Sequence, residues 1–266
     1  MTAMASIEAS TDGAIRTLTI TNPARRNAFD APMARQLRDA LDEAEADTAV
    51  RCVIVAGDPS RGPAFSSGHD LAEVQQHPET ASDPEANAGF VRPSSMSVPV
   101  IAAVDGPAYA AGFILAINCD LRVATPEAAF CASGARIGLL PVGGQLSRLL
   151  SLVPYHVALE LVATAAPMGG RRAAEVGLVN RLAPSGEAVA AARELADAIA
   201  AVSPAVVRSA KRGLLETVRS GLDAGLAYEQ AQAARLRPRP DGDEGVAAFV
   251  ERRPPAFPDA PSDLFG

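Results

Sequence analysis

The sequence predicts an α/β fold with parallel strands at its core, and three observations predict it. Strand-like runs alternate with segments of helical period along the first two thirds of the chain. Two of those runs, at 51–56 and 98–104, are nearly unbroken apolar stretches of strand length, as expected of strands buried on both faces. From Gly186 onward the pattern is helical alone, which adds a separate helical layer at the carboxyl end.

The first strand is AIRTLTI at 14–20, alternating and β-branched, and it ends at the turn signal Asn22-Pro23. Asp30 is a good N-cap, and Met33, Leu37, Leu41 and Ala44 follow at i,i+4 and i,i+3 spacing, so 31–46 is an amphipathic helix. The two apolar strands come next. Between them, residues 76–97 are rich in Pro, Ser, Asn and Glu and read as a mobile surface segment. A short helix near 110–118 and a strand near 121–124 precede a Gly- and Pro-containing stretch from Ser133 to Gly144. Helices near 145–152, 154–165 and 171–176 lead to a last strand, GLVNRL, at 177–182. The carboxyl end carries helices at 186–201, 204–219 and 221–236, then a Pro-rich break and a final short helix that contains Phe249. There is no sequence repeat and no low-complexity linker.

Composition narrows the function. In 266 residues, 48% hydrophobic and 21% charged side chains argue for a folded globular chain. Aromatics are only 4%, with no Trp, so Ala, Val, Leu and Ile must build the core. The formal net charge is −7 and the arginine clusters are short, which argues against nucleic acid as a partner. Three cysteines without a CxxC pair point to buried thiols in a reducing compartment. The amino terminus lacks a signal-peptide pattern, and the most apolar region, 98–117, is broken by Pro and Gly, so no membrane span is expected. The expected location is the cytoplasm.

Several common devices are missing: GxGxxG, Walker A, HExxH and GxSxG. Three scattered histidines suggest no metal site. Two turns remain, PAFSSGHDL at 63–71 and DGPAYAAG at 105–112, each at the end of a buried strand, where ligands of open α/β proteins bind. Side by side, they would converge one N–H each on a single oxygen, a device for any reaction that places charge on a carbonyl oxygen. Spacing alone leaves open two ordinary strand-to-helix turns.

The chain resembles the crotonase (enoyl-CoA hydratase/isomerase) superfamily through an ordered series of landmarks. They are NPARRNAF at 22–29, AFSSGHDL at 64–71, VPVIAAVDGPAYAAG at 98–112, NCDLRVATPEAAF at 118–130, IGLLPVGGQLSRL at 137–149, AAEVGLVNRL at 173–182 and EGVAAFVERRPPAF at 244–257. The resemblance implies a spiral of ββα units over residues 1–200 and a helical oligomerisation region over 201–266, forming homotrimers or dimers of trimers. It implies an acyl-CoA ligand, coenzyme A entering as part of the substrate, with no separate cofactor. It places the two polarising N–H groups at His69, after Gly68, and at Ala111. Ala111 stands where the family usually has Gly, which is tolerable if that backbone does not need a positive φ. The nucleotide end would pass Arg25 to Ala28, with Arg26 a candidate phosphate contact or else a solvated surface arginine.

The two glutamates of true hydratases match Ile114 and Gly134 here, so both carboxylates are gone. The acidic position of dienoyl-CoA isomerases matches Val142, and the tyrosine of decarboxylase-like relatives matches Pro141. Hydration needs one group to activate water and one to deliver a proton. Isomerisation, thioester hydrolysis or decarboxylation therefore fits better, and a non-catalytic acyl-CoA binder is the alternative. The remaining substrate-binding candidates are Ala28, Ser67, Gly68, Asp70, Leu71, Tyr109 and Ile114. Asp70 is expected to support its turn. Tyr109 is either a ligand contact or core, and the His69 ring matters less than its backbone.

Overall fold

The structure, a computed structural model, describes residues 5–60, 62–77 and 83–260. Ser6–Asp12 (β1) and Ile15–Thr21 (β2) form an antiparallel hairpin that turns at Gly13, where φ is +59°. The helix Ala31–Ala46 (α1) is capped by Asp30, whose carboxylate accepts from the Met33 N–H at 2.8 Å, and it buries Met33, Leu37, Leu41 and Ala44. The strand Cys52–Gly57 (β3) is buried on both faces. Its alternation splits the core: Val53 and Val55 pack with α1, while Cys52, Ile54 and Ala56 meet Ala188, Ala192 and Ala196 of a helix over the opposite face.

That pattern repeats along the sheet. Val100–Val104 (β4), Leu121–Ala124 (β6) and Arg181–Leu182 (β9) continue it in the order β1-β2-β3-β4-β6-β9, parallel after the first pair. A second, smaller sheet joins Pro107–Tyr109 (β5), Ala129–Cys131 (β7) and Met168–Gly169 (β8). The chain therefore climbs as a coil. Each circuit runs from a strand of the large sheet to an extended segment of the small one and then into a helical turn. Ser66, Ala108 and Phe130 lie in register on three successive circuits. Three residues beyond each stand His69, Ala111 and Ser133, all at the same end of the coil. The sequence carries no repeat, yet the backbone repeats its geometry.

The helical turns after these positions are Leu71–Gln76 (α2), Ala111–Asn118 (α4) and a 3-10 turn at Ser133–Ile137. Ala88–Val91 (α3) and a 3-10 turn at Arg92–Ser95 correct the expectation of a mobile surface segment over 76–97. Phe90 and Met96 are fully buried, and the Phe90 ring meets Phe29 edge-on at 4.8 Å, so two large apolar side chains outweigh the polar composition. Residues 78–82 of that expectation lie outside the described residues. The helix expected near 145–152 is reduced to a 3-10 turn, Leu149–Ser151, and the strand expected at 177–182 keeps only β9.

Tyr155–Thr164 (α5), Gly170–Glu175 (α6) and Ala188–Ala200 (α7) complete the body; α7 is the helix over the opposite face of the large sheet. Pro204–Ser220 (α8), Leu222–Leu236 (α9) and Pro240–Glu251 (α10) form the carboxyl layer. Buried cations tie it down. Arg208 donates to the Val50 carbonyl at 2.9 Å. Lys211 donates to the Pro93 and Val98 carbonyls and pairs with Asp120 at 2.7 Å. Arg51 reaches the carbonyls of Ala200 and Phe257. Among the described residues no helix is long and apolar enough to cross a membrane.

Candidate functional site

The two turns singled out in the sequence lie against each other. The Phe65 and Ser66 N–H groups both donate to the Pro107 carbonyl, and the Tyr109 N–H donates to the Ser66 carbonyl at 2.9 Å. Gly68 sits at the closest approach, with φ +102°. A Cβ there would stand 2.8 Å from the Ala110 Cβ, 2.9 Å from the Tyr109 carbonyl oxygen and 3.3 Å from the Ala111 nitrogen. Only a glycine allows this contact.

The first turn is pinned from its other side as well. The Ser67 N–H donates to the Arg26 carbonyl and its hydroxyl to the Arg25 carbonyl. The Phe29 N–H donates to the Gly68 carbonyl, and the Asp70 N–H returns to Phe29. Asp70 caps α2 by accepting from the Ala72 N–H, and it pairs with Arg25, a supporting position. In the second turn Ala110 adopts φ +47° and ψ −114°, an unusual conformation for an L-residue. The Ile114 N–H donates to its carbonyl and starts α4. Ala111 is thus already helical, and the strain falls one residue earlier than the position where the family-like Gly was expected. Among the described residues neither the His69 nor the Ala111 N–H donates to another backbone group.

Both turns open onto a cavity of about 310 Å³. Its walls are mostly apolar, with Leu71, Ile114, Leu139, Leu140 and Val142 among them. Ser67, His69, Tyr109, Ser133, Arg136 and Gln145 supply its polar groups. No aspartate or glutamate lines it among the described residues. Ile114 is 3% exposed and faces the cavity, as does Gly134. A Cβ on Gly134 would stand 2.7 Å from the Leu139 carbonyl oxygen, so the backbone has closed over the place where a side chain would start.

The His69 imidazole packs edge-on against Phe90 at 5.4 Å. Burial holds its pKa below the ordinary value, with the nearby Asn87 side chain opposing that shift. Its Nε2 is buried without a partner at hydrogen-bonding geometry. The ring is therefore neutral near pH 7, a weak base rather than an acid.

The carboxyl end of α4 is held by buried cations. Arg122 donates to the carbonyls of Ala116, Cys119 and Leu178, and Arg148 to that of Ile117 at 2.7 Å. Burial lowers the Arg122 pKa to about 10. Cations at a helix carboxyl terminus complement its dipole.

Of the residues expected at the site, Ser67, His69, Leu71, Tyr109, Ala111, Ile114 and Gly134 line this cavity, and Gly68 and Asp70 buttress it. Arg26 and Ala28 do not line it. Arg26 is exposed with φ +52°, and Ala28 is buried, its carbonyl accepting from Asn22 Nδ2 at 2.8 Å. Gln145 and Arg136 were not foreseen: both follow the second carboxylate position, in a stretch whose Gly and Pro content reads only as loop. Among the described residues no three of His, Cys, Asp or Glu are placed to hold a metal.

Comparison with known proteins adds relatives to this geometry. Residues 10–260 match the family model described as enoyl-CoA hydratase/isomerase. The chain is 32% identical to enoyl-CoA hydratase EchA19 of Mycobacterium tuberculosis over 266 residues, covering 96% of this chain and 99% of that one. It is 32% identical to the 2,3-dehydroadipyl-CoA hydratase of Escherichia coli over 241 residues, 90% and 93% of the two chains. A crystal structure of an enoyl-CoA hydratase from Polaromonas sp. JS666 superposes with a TM-score of 0.88 at 31% identity, over 95% of this chain and 100% of that one.

Proposed function

The chain belongs to the enoyl-CoA hydratase/isomerase family, and from that premise we propose that its cavity takes an acyl-CoA thioester whose carbonyl oxygen sits between the N–H groups of His69 and Ala111. The observation that carries this reading is the contact at Gly68, which brings the two turns together with both N–H groups unspent. Charge that develops on the thioester oxygen meets two fixed donors, one of them at the start of α4. One such donor is worth roughly 3 kcal/mol in a transition state. The cations at the far end of α4 favour the same polarity. The exposed Arg26, with no ion pair among the described residues, is the proposed contact for a phosphate of the nucleotide.

The chemistry we assign is not hydration. Activating water and delivering the α-proton take two placed acid–base groups, and Ile114 and Gly134 supply neither. Isomerisation, thioester hydrolysis and decarboxylation remain. Decarboxylation asks least of the protein, because loss of CO₂ from a 2-carboxyacyl thioester leaves the pair of the broken C–C bond in the enolate, which then takes a proton from solvent at C2. Against it, the position of the decarboxylase-like tyrosine is Pro141. The second reading, a non-catalytic acyl-CoA binder, is favoured by the apolar wall at Ile114. We also propose a homotrimer or dimer of trimers, supported by exposed Leu214, Val218, Leu222, Val246, Phe249 and Val250 on α8 to α10.

The test pairs crotonyl-CoA hydration, followed as loss of enone absorbance, with calorimetric titration of the same thioester. Binding without hydration is the expected result. Robust hydration overturns the argument from Ile114 and Gly134, and absence of binding overturns the thioester site.

A further inference from the structure

The carboxyl end of α4 holds more positive charge than its hydrogen bonds require. The last carbonyls of a helix need donors, and a neutral group serves: Asn118 Nδ2 donates to the Ile114 carbonyl at 2.8 Å and to that of Gly143 at 2.7 Å. The carbonyls beyond it are met by full cations instead. Arg122 takes those of Ala116 and Cys119, and Arg148 takes that of Ile117. The neighbouring carboxylate, Asp120, is already engaged by Lys211 and by the Val100 N–H, each at 2.7 Å. Among the described residues neither arginine forms an ion pair. With Lys211 included, three cations therefore cluster around Asp120.

Burying charge without a counter-charge costs free energy. Burial holds the pKa of both arginines below the ordinary value, and Arg148 adds its repulsion to Arg122. The opposite end of the helix is where a counter-charge fits. There Ala111 presents an unspent N–H to a cavity with no acidic lining among the described residues. All eight residues of α4 are buried, so water does little to screen one end from the other. A cation at a helix carboxyl terminus and an anion at its amino terminus both complement the dipole.

We propose that Arg122 and Arg148 are positioning residues that act through α4: their uncompensated charge makes the thioester site select an enolate over a neutral thioester. This rests on the thioester reading above. By the helix rise, Arg148 lies roughly 15 Å from an oxygen held at the Ala111 N–H. At an effective dielectric constant of about 20, one charge at roughly that distance changes an equilibrium about sixfold. A donor that merely tidied the end of the helix would change the binding of charged and neutral ligands alike.

The test compares acetoacetyl-CoA, which ionises to an enolate with its own ultraviolet absorbance, with neutral butanoyl-CoA. Both are titrated by calorimetry into wild type, Arg148→Gln and Arg148→Lys, and the enolate absorbance of the bound acetoacetyl-CoA is recorded. Wild type should bind acetoacetyl-CoA more tightly, as the enolate. Arg148→Gln, which keeps a donor and removes the charge, should lower the ratio of the two affinities by about three- to tenfold and leave butanoyl-CoA within about twofold. Arg148→Lys, which keeps the charge, should restore most of the ratio. If Arg148→Gln does not fold, Asp120→Asn decides: it removes the carboxylate from the cluster and should raise the ratio. Equal losses for both ligands in Arg148→Gln, an unchanged ratio, no rescue by lysine, an unraised ratio in Asp120→Asn, or no enolate absorbance in wild type overturns this inference alone. Failure of both thioesters to bind wild type overturns the thioester reading, and this inference with it.

Discussion

Replacing Ala110 with glycine should stabilise the protein. Ala110 sits at φ +47° and ψ −114°, close to the first central position of a type II′ turn, where glycine dominates. Holding an L-residue in such a region costs about 1–3 kcal/mol. Glycine removes that cost but adds about 0.4–1 kcal/mol of unfolded-state entropy. It also gives up one half-buried methyl group, at most about 0.8 kcal/mol. The balance is a gain of about 1 kcal/mol, or roughly 2–4 °C in Tm for a chain of this size. Thermal melts and urea titrations of Ala110→Gly against wild type measure it. Thioester affinity should stay within about threefold, since the Ala111 N–H and its helix are unchanged. An unchanged or lower Tm would refute the reasoning, and would mean that the Ala110 methyl group is worth more in the contact with Gly68 than its backbone costs.

Gly68→Ala should cost roughly 2–4 kcal/mol, from the positive φ and the clash with the second turn. Adding Ala110→Gly should recover part of it, because one of the two closest atoms is then gone; strict additivity in denaturant titrations would contradict the contact. Ala111→Pro places proline at the first position of α4, which tolerates it, and removes one N–H; thioester binding should weaken by about tenfold, and unchanged calorimetry removes the proposed site. Ile114→Glu should fold, whereas adding Gly134→Glu should lower Tm further by forcing the backbone away from Leu139, read by thermal melts. His69, with its pKa lowered by burial, binds its proton less readily folded than unfolded. Stability should therefore fall as pH drops below about 6.5, the unfolded value, and be flat in this group's contribution above it. Urea titrations at pH 7.5 and 5.5 should show a steeper loss for wild type than for His69→Gln, and equal losses would remove this assignment.

The elements legible in the sequence are those whose signal is local. Asp30 and the i,i+4 and i,i+3 series after it mark α1 to the residue, and β3 and β4 announce themselves as apolar runs. The missed elements depend on distant partners. β1 has a polar, exposed sequence and exists because it pairs with β2, although Asp12-Gly13 is a hairpin signal that was there to be read. β5 and β7 are three residues each and are strands only through pairing with one another and, for β7, with β8. The site divides in the same way. Both turns were recognisable as places where a ligand approaches, but their contact follows from the register of Ser66, Ala108 and Phe130, which no local pattern contains. Gln145 escaped because its place in the cavity lining is a property of surroundings, not of a motif.

The ties between the carboxyl layer and the coil bear on the order in which the molecule can be made. Val98 waits for Lys211, Val50 for Arg208, and Arg51 for Phe257, across 113, 158 and 206 residues. A growing chain that has already synthesised both turns of the site still lacks the cations that meet the Val98 and Val50 carbonyls and the carbonyl that meets Arg51. Closing such long loops is slow. The amino-terminal circuits should therefore stay loosely held, with apolar β3 and β4 within reach of neighbours, until the last helices leave the ribosome. A part of the chain that lines none of the cavity decides when that cavity first exists.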